Sequence, residues 1–114
     1  MTEFTLEDAS GVPHTYRVAC PLDAFDQIAK MQPRLRIALD DLRSGACDYA
    51  LALHIGKLGL RYGNGGATID DFYQRHGWME LQRLALETLI AGLPPAGKDD
   101  AAGNEKAETE TATS

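Results

Sequence analysis

Residues 3–19, EFTLEDASGVPHTYRVA, decide the fold class, because apolar and polar side chains alternate on both sides of a glycine-containing break. Phe4 and Leu6 share one face before the break, and Tyr16 and Val18 share one face after it. A period of two is typical of half-buried strands, so the segment predicts an antiparallel β-hairpin with one buried face. Two strands alone are marginally stable in water, and this face must therefore pack on another element.

Residues 21–92 predict that element as a bundle of about four to five short helices, because apolar side chains recur there every three or four residues. Pro21 and Pro33 suit first helical positions, since proline cannot continue a helix already begun. The predicted apolar faces are Leu22, Phe25, Ile28 and Ala29; Leu35, Ala38, Leu39 and Leu42; Leu51, Ile55, Leu58 and Tyr62; Ile69, Phe72 and Tyr73; and Leu81, Leu84, Ala85, Thr88 and Leu89. The predicted fold class is α+β and mostly helical.

Capping residues predict where these helices begin and end. Gly45 supplies a left-handed cap for the second helix, and Asp48 is a good N-cap for the third. Thr68, with Asp71 three residues later, predicts a capping-box start, and the sequence around Gly77 predicts the break before the last helix. Within the third helix, Gly56 and Gly59 indicate close packing against a neighbour; a weak point for movement is the alternative.

Residues 94–114 contain no Val, Ile, Leu, Met, Phe, Trp, Tyr or Cys, and they predict a disordered acidic tail. Residues 1–93, with a hairpin at 3–19 and helices at 21–92, form one small domain. The domain and the tail each carry a net charge of −3. This acidic balance argues against nucleic acid as a partner, including through a helix-turn-helix at residues 69–89.

The sequence shows no secretory signal and no apolar run long enough to span a membrane, so we expect a cytoplasmic protein without a membrane partner. Cys20 and Cys47 are too few for a disulfide framework or a zinc site. His14, His54 and His76 are scattered, and solvated or capping roles are expected for them. We therefore predict no catalytic residues, no metal and no cofactor.

Three aromatic side chains cluster around the turn between the last two helices. Phe72 and Tyr73 are expected in the core, whereas Trp78, beside polar Glu80 at a helix start, is a candidate anchor for a partner. The residues predicted to contact a partner are Tyr73, Trp78 and Leu81.

The order of these elements resembles the small tail assembly chaperones of tailed phages and the related proteins of gene transfer agents. The hairpin at 4–19 is followed by a helix with Leu-Asp-Ala-Phe at 22–25, and then by a helix ending Leu-Arg-Ser-Gly at 42–45. A Leu-rich helix, a Gly-rich loop and the element IDDFYQRHGW at 69–78 precede the final helix. The likeness covers residues 3–93 and consists of order and spacing; the prolines at 21 and 33 depart from the family pattern.

This resemblance implies a chaperone acting in the cytoplasm of a bacterial host. Its partner would be the tape-measure protein, which it would keep from aggregating until the tail tube polymerises, with the tail-tube protein as a second partner. Homo-oligomerisation is left open. The alternative function is a small regulatory or adaptor domain that binds one protein partner or, with less support, DNA. An enzyme would be a third class, for which the sequence offers no residues.

Deletion of residues 96–114 should leave the thermal unfolding midpoint nearly unchanged, because this segment contributes no large apolar side chain to a core. Thermal unfolding followed by circular dichroism checks this. A large fall in the midpoint would show that the segment packs on the domain.

Overall fold

The structure is a computed structural model that describes residues 2–93; the predicted tail at 94–114 lies outside the described residues. Strands β1 (Thr2–Glu7) and β2 (Pro13–Val18) pair in antiparallel register, with Phe4 opposite Tyr16. Leu6, Tyr16 and Val18 are buried, so one face of the hairpin packs on the helices as the alternation predicts.

Four helices follow the hairpin within the described residues. They are α1 (Leu22–Ala29), α2 (Leu35–Ser44), α3 (Tyr49–Gly63) and α4 (Ile69–Gly92). Gly77 breaks α4, because its φ of 85° and ψ of −174° are not helical. Segments 69–76 and 78–92 are thus two helical segments joined at a bend, which confirms the predicted break.

The first two helices begin later than their prolines suggest. Pro21 is the N-cap of α1, and Arg34 rather than Pro33 caps α2. The predicted face of α1 is partly wrong, because Leu22 is 84% exposed and Ala29 is exposed. Ala24 and Ile28 are the buried residues of α1, and Phe25 is partly buried beside them.

The predicted helix caps are confirmed. Asp48 accepts a hydrogen bond from the Leu51 amide at 3.3 Å, and the Thr68 hydroxyl accepts one from the Asp71 amide at 3.2 Å. Gly45 has a φ of 77°, in the left-handed region that glycine adopts without steric cost. These caps fix where α2 ends and where α3 and α4 begin.

A stripe of glycines, which includes Gly59 and Gly63, brings α3 close to its neighbours. A Cβ atom at Gly59 would overlap the Thr88 side chain of α4, and one at Gly63 would overlap the backbone carbonyl of Arg17. The Gly59 carbonyl also accepts a hydrogen bond from the Ala19 amide at 3.2 Å, just after β2. Close packing of the α3 glycines, predicted from the sequence, is therefore what the structure shows.

The buried side chains form two clusters on either side of the α3–α4 contact. One joins α1, α2, α3 and the end of α4, and the other joins the hairpin to α4 and to Leu60 of α3. Trp78 packs against both clusters from its place directly after the bend. The bend in α4 therefore lies where the two halves of the core meet.

One buried polar side chain fastens the α2–α3 connection to α4. Gln82 is nearly fully buried, and its Oε1 accepts a hydrogen bond from the Cys47 amide at 3.0 Å. Its Nε2 donates to the Met79 sulfur at 3.7 Å. A buried amide satisfied in this way fixes the position of the connection on α4.

Substitution Gly59→Ala should destabilise the fold by about 1–3 kcal/mol, because the added methyl group overpacks the contact with Thr88. Urea unfolding measures the change. The double variant G59A/T88A should recover part of the loss relative to the sum of the single variants, because two of the three closest side-chain atoms are removed. An unchanged stability in G59A would contradict the close contact.

Candidate functional site

Two features of the described residues could carry a function: an apolar surface at the bend of α4, and a polar network under the hairpin. The apolar surface, which we call the aromatic patch, consists of Tyr49, Trp78 and Met79. Tyr49 is 55% exposed and Met79 is 64% exposed, while Trp78 is half-buried. The rings of Tyr49 and Trp78 lie 5.3 Å apart between centroids, and Met79 follows Trp78 directly in the chain.

The local sequence places these residues together. Tyr49 is the first residue of α3, directly after its Asp48 cap, and Trp78 is the first residue after the bend at Gly77. Met79 lies over the end of α2, where a Cβ on Gly45 would be 3.0 Å from its terminal methyl group. The patch is thus built from the ends of three helices.

A groove of about 380 Å³ continues the patch between α2 and α4, and we call it the α2–α4 groove. Leu42 and Leu86 supply apolar lining, and Met79 belongs to both groove and patch. Arg43 and Arg83 lie on its polar side. The combination is an apolar channel with a charged rim.

The predicted partner residues are only partly brought together, because Trp78 packs against the core cluster that contains Leu81. Trp78 lies in the patch but packs largely on the two core clusters, so it is only partly available. Tyr73 is 43% exposed, against the expectation of a core position, and makes no ring contact with Tyr49 or Trp78. Leu81 is fully buried on the inner face of α4, and its role in partner contact stays a prediction.

The residues that sequence reasoning missed are Tyr49 and Met79. A tyrosine directly after an N-cap and a methionine after a tryptophan carry no periodic signal of exposure. The spacing of apolar residues predicts which face of a helix is buried, but it does not predict where the ends of separate helices meet.

The second feature is a polar network between the hairpin and segment 69–76. Arg75 donates a hydrogen bond to the Tyr16 hydroxyl at 3.0 Å, and that hydroxyl lies 2.7 Å from Nε2 of His76. Because arginine can only donate, the hydroxyl proton of Tyr16 is available to Nε2 of His76 in the tautomer that is protonated at Nδ1. At the hairpin turn, His14 donates from Nε2 to the Asp8 carboxylate at 2.9 Å.

The network changes the acid–base behaviour of two side chains. Burial, followed by the positive charges of His14 and Arg75, lowers the pKa of His76, whereas Glu80 and Asp8 oppose this shift. The expectation of a charged His76 capping a helix is therefore not favoured. The hydrogen bond from His14 and the turn amides lower the pKa of Asp8 to about 2.

The hairpin register places His14 on the face of β2 that carries this network. His14 lies two residues before Tyr16 on the same strand, so period-two alternation places both on the face toward the helices. This signal was present in the sequence. The ring contact between His14 and His76, which lies far along the chain, was not indicated by the sequence.

The remaining candidate groups show no site chemistry. Cys20 and Cys47 are free and buried, and burial raises the pKa of each thiol to about 11. Across residues 2–93, no three His, Cys, Asp or Glu side chains are grouped so as to hold a metal ion. No helix in this part of the chain is long and apolar enough to cross a membrane.

Comparison of the chain with protein-family models, with curated proteins and with solved structures finds no match.

Stability should fall as the pH is lowered from about 7.5 to about 5, because a His76 pKa below its unfolded value makes the unfolded chain bind more protons. This contribution is complete above the unfolded pKa and is lost as the pH falls toward the folded value. Urea unfolding across this range measures it.

The variant His76→Phe provides the control, since it removes the titrating group while keeping a ring. The decline should be shallower in H76F than in the parent. Equal slopes would show that His76 does not couple protonation to folding.

Proposed function

We propose that this protein binds an apolar face of a helical segment in a partner protein, as a tail assembly chaperone binds its client, and performs no covalent chemistry. The observation that supports this is the aromatic patch, where Tyr49 and Met79 are more than half exposed beside Trp78. Large apolar side chains grouped in this way on a small domain are typical of protein-binding surfaces.

The α2–α4 groove favours a helix over an extended strand as the bound segment. It lies between two helices, and the exposed face of segment 78–92 adds Met79, Leu86 and Ile90 at helical spacing. An amphipathic helix could therefore lay its apolar face along α4 while Arg43 and Arg83 meet its polar side.

The side chains of the patch suit reversible binding of several related segments. Methionine has three rotatable bonds and a polarisable sulfur, so Met79 can adapt to different partner side chains. Its sulfur accepts a hydrogen bond from the Gln82 amide at 3.7 Å, a weak contact that does not fix the side chain. Release of a client then requires no nucleotide and no covalent step.

The client that we propose is the tape-measure protein, with the tail-tube protein as a second partner. This identification is supported by the resemblance in element order over residues 3–93. The alternative is an adaptor domain that uses the same patch to hold one folded partner. The two differ in the client, because only a chaperone should keep an otherwise insoluble helical protein in solution.

Co-expression with the tape-measure protein from the same genome should increase the soluble fraction of that protein, and substitution Met79→Glu should abolish the increase. A charge at the centre of an apolar contact weakens binding by about tenfold or more. Quantitative blotting of soluble and pelleted tape-measure protein measures both effects.

Leu22→Glu is the matched control, because Leu22 is an 84% exposed apolar side chain at the start of α1, outside the patch. L22E should retain the solubilising effect. No increase with the parent protein would refute the chaperone function, and equal losses in M79E and L22E would refute the patch as the binding surface.

A further inference from the structure

A second groove, separate from the aromatic patch, lies along α3. We call it the α3 groove; it encloses about 520 Å³, and its lining includes Gln27 of α1 and Thr68, the N-cap of α4. No residue of the aromatic patch or of the α2–α4 groove lines it. The two surfaces are therefore built from different side chains.

The α3 side of this groove carries basic side chains at helical spacing. His54, Lys57 and Arg61, which we call the basic stripe, lie three and four residues apart and share one face of the helix. Lys57 and Arg61 are exposed, whereas His54 is half-buried. At a rise of about 1.5 Å per residue, the basic stripe extends over about 10 Å of α3.

Residues 2–93 do not neutralise the basic stripe. The ion pairs of this part of the chain involve other side chains, so none of its carboxylates lies within 4.0 Å of Lys57 or Arg61. None of the lining residues of the groove is Asp or Glu. Asp70 and Asp71 follow the lining residue Ile69 in the first turn of α4, but neither of them lines the groove. Lys57 and Arg61 are thus cations to which a partner can supply the carboxylates.

The apolar part of the lining favours a peptide over other anions. Leu58 and Leu60 contribute buried side chains, and Ala67 and Ile69 contribute half-buried ones. No Phe, Tyr or Trp lines the groove, so it lacks the rings on which proteins stack the bases of single-stranded nucleic acid. An amphipathic peptide suits both parts of the lining, because its apolar side chains can contact the half-buried residues while its carboxylates reach the basic stripe.

We propose that the α3 groove binds an acidic amphipathic segment of a partner protein, whose carboxylates pair with Lys57 and Arg61. Charge complementarity supports this occupant, because carboxylates three or four residues apart on a partner helix match the spacing of the basic stripe. The contact weakens with salt, since the paired side chains are exposed. It uses no residue of the aromatic patch, so it holds or fails independently of the proposed chaperone function.

A peptide titration of the isotope-labelled full chain, followed by amide NMR, tests this contact. The probe is a synthetic helical peptide of about fifteen residues, with glutamates on one face and leucines on the other. Its control carries glutamine in place of every glutamate. The acidic peptide should shift the amide signals of residues 54–61, and the control should bind there at least about threefold more weakly. Raising the salt from about 0.05 M to about 0.5 M should remove most of this difference.

The charge-reversal variant K57E/R61E should abolish the shifts that the acidic peptide causes at residues 54–61. R34E/R36E is the matched control, because it changes the charge equally on two exposed arginines outside both grooves and should leave the shifts intact. The neutral variant K57Q/R61Q adds no repulsion between glutamates on α3, and it should weaken binding in the same direction as K57E/R61E.

The position of the shifts distinguishes this proposal from the proposed function. Shifts confined to the aromatic patch would overturn the proposal for the α3 groove and leave the chaperone function standing. Equal binding of the two peptides at residues 54–61, or equal effects of K57E/R61E and R34E/R36E, would also overturn it. So would the same shifts from oligouridine or from inorganic phosphate at the concentration of the acidic peptide, because the groove would then recognise a phosphate group.

Discussion

The glycine stripe of α3 is the constraint on which the rest of the structure depends. With hydrogen atoms in place of side chains at Gly59 and Gly63, α3 approaches Thr88 of α4 on one side and the backbone of β2 on another. Any larger residue would push these elements apart. The hairpin could then no longer cover Phe72, and the two core clusters would no longer share α4 as their common wall.

The bend at Gly77 determines which of the side chains that follow it are buried and which are exposed. In an unbroken α4, residues 78–92 would continue the helical periodicity of segment 69–76. The positive φ of Gly77 interrupts that periodicity, so a second helical segment with its own buried face begins at Trp78. The indole then packs on both clusters and lies against the Tyr49 ring, while the Met79 side chain is exposed. Gln82, one turn later, bonds the Cys47 amide and holds the start of α3 against this turn.

Local signals predicted the hairpin, the caps at Asp48 and Thr68 and the break at Gly77, because each depends on residues close in the chain. Burial was harder to predict. Leu22 is exposed because α1 turns its small Ala24 inward, and the volume of a side chain does not reveal that choice. The patch and the Tyr16–His76 contact depend on which turns of distant elements meet, which residue spacing within one element cannot specify.

The distribution of charge separates the two grooves by the kind of segment each could accept. The α2–α4 groove has an apolar lining, and its Arg83 is already shared between Glu80 and Glu87, at 3.9 Å and 4.0 Å. Its affinity must therefore come mainly from apolar contact. The α3 groove, lined in part by His54, Lys57 and Arg61, has no Asp or Glu among its lining residues. The two grooves therefore differ in the chemistry of their linings, because one combines leucines with a charged rim and the other includes three basic side chains and no carboxylate.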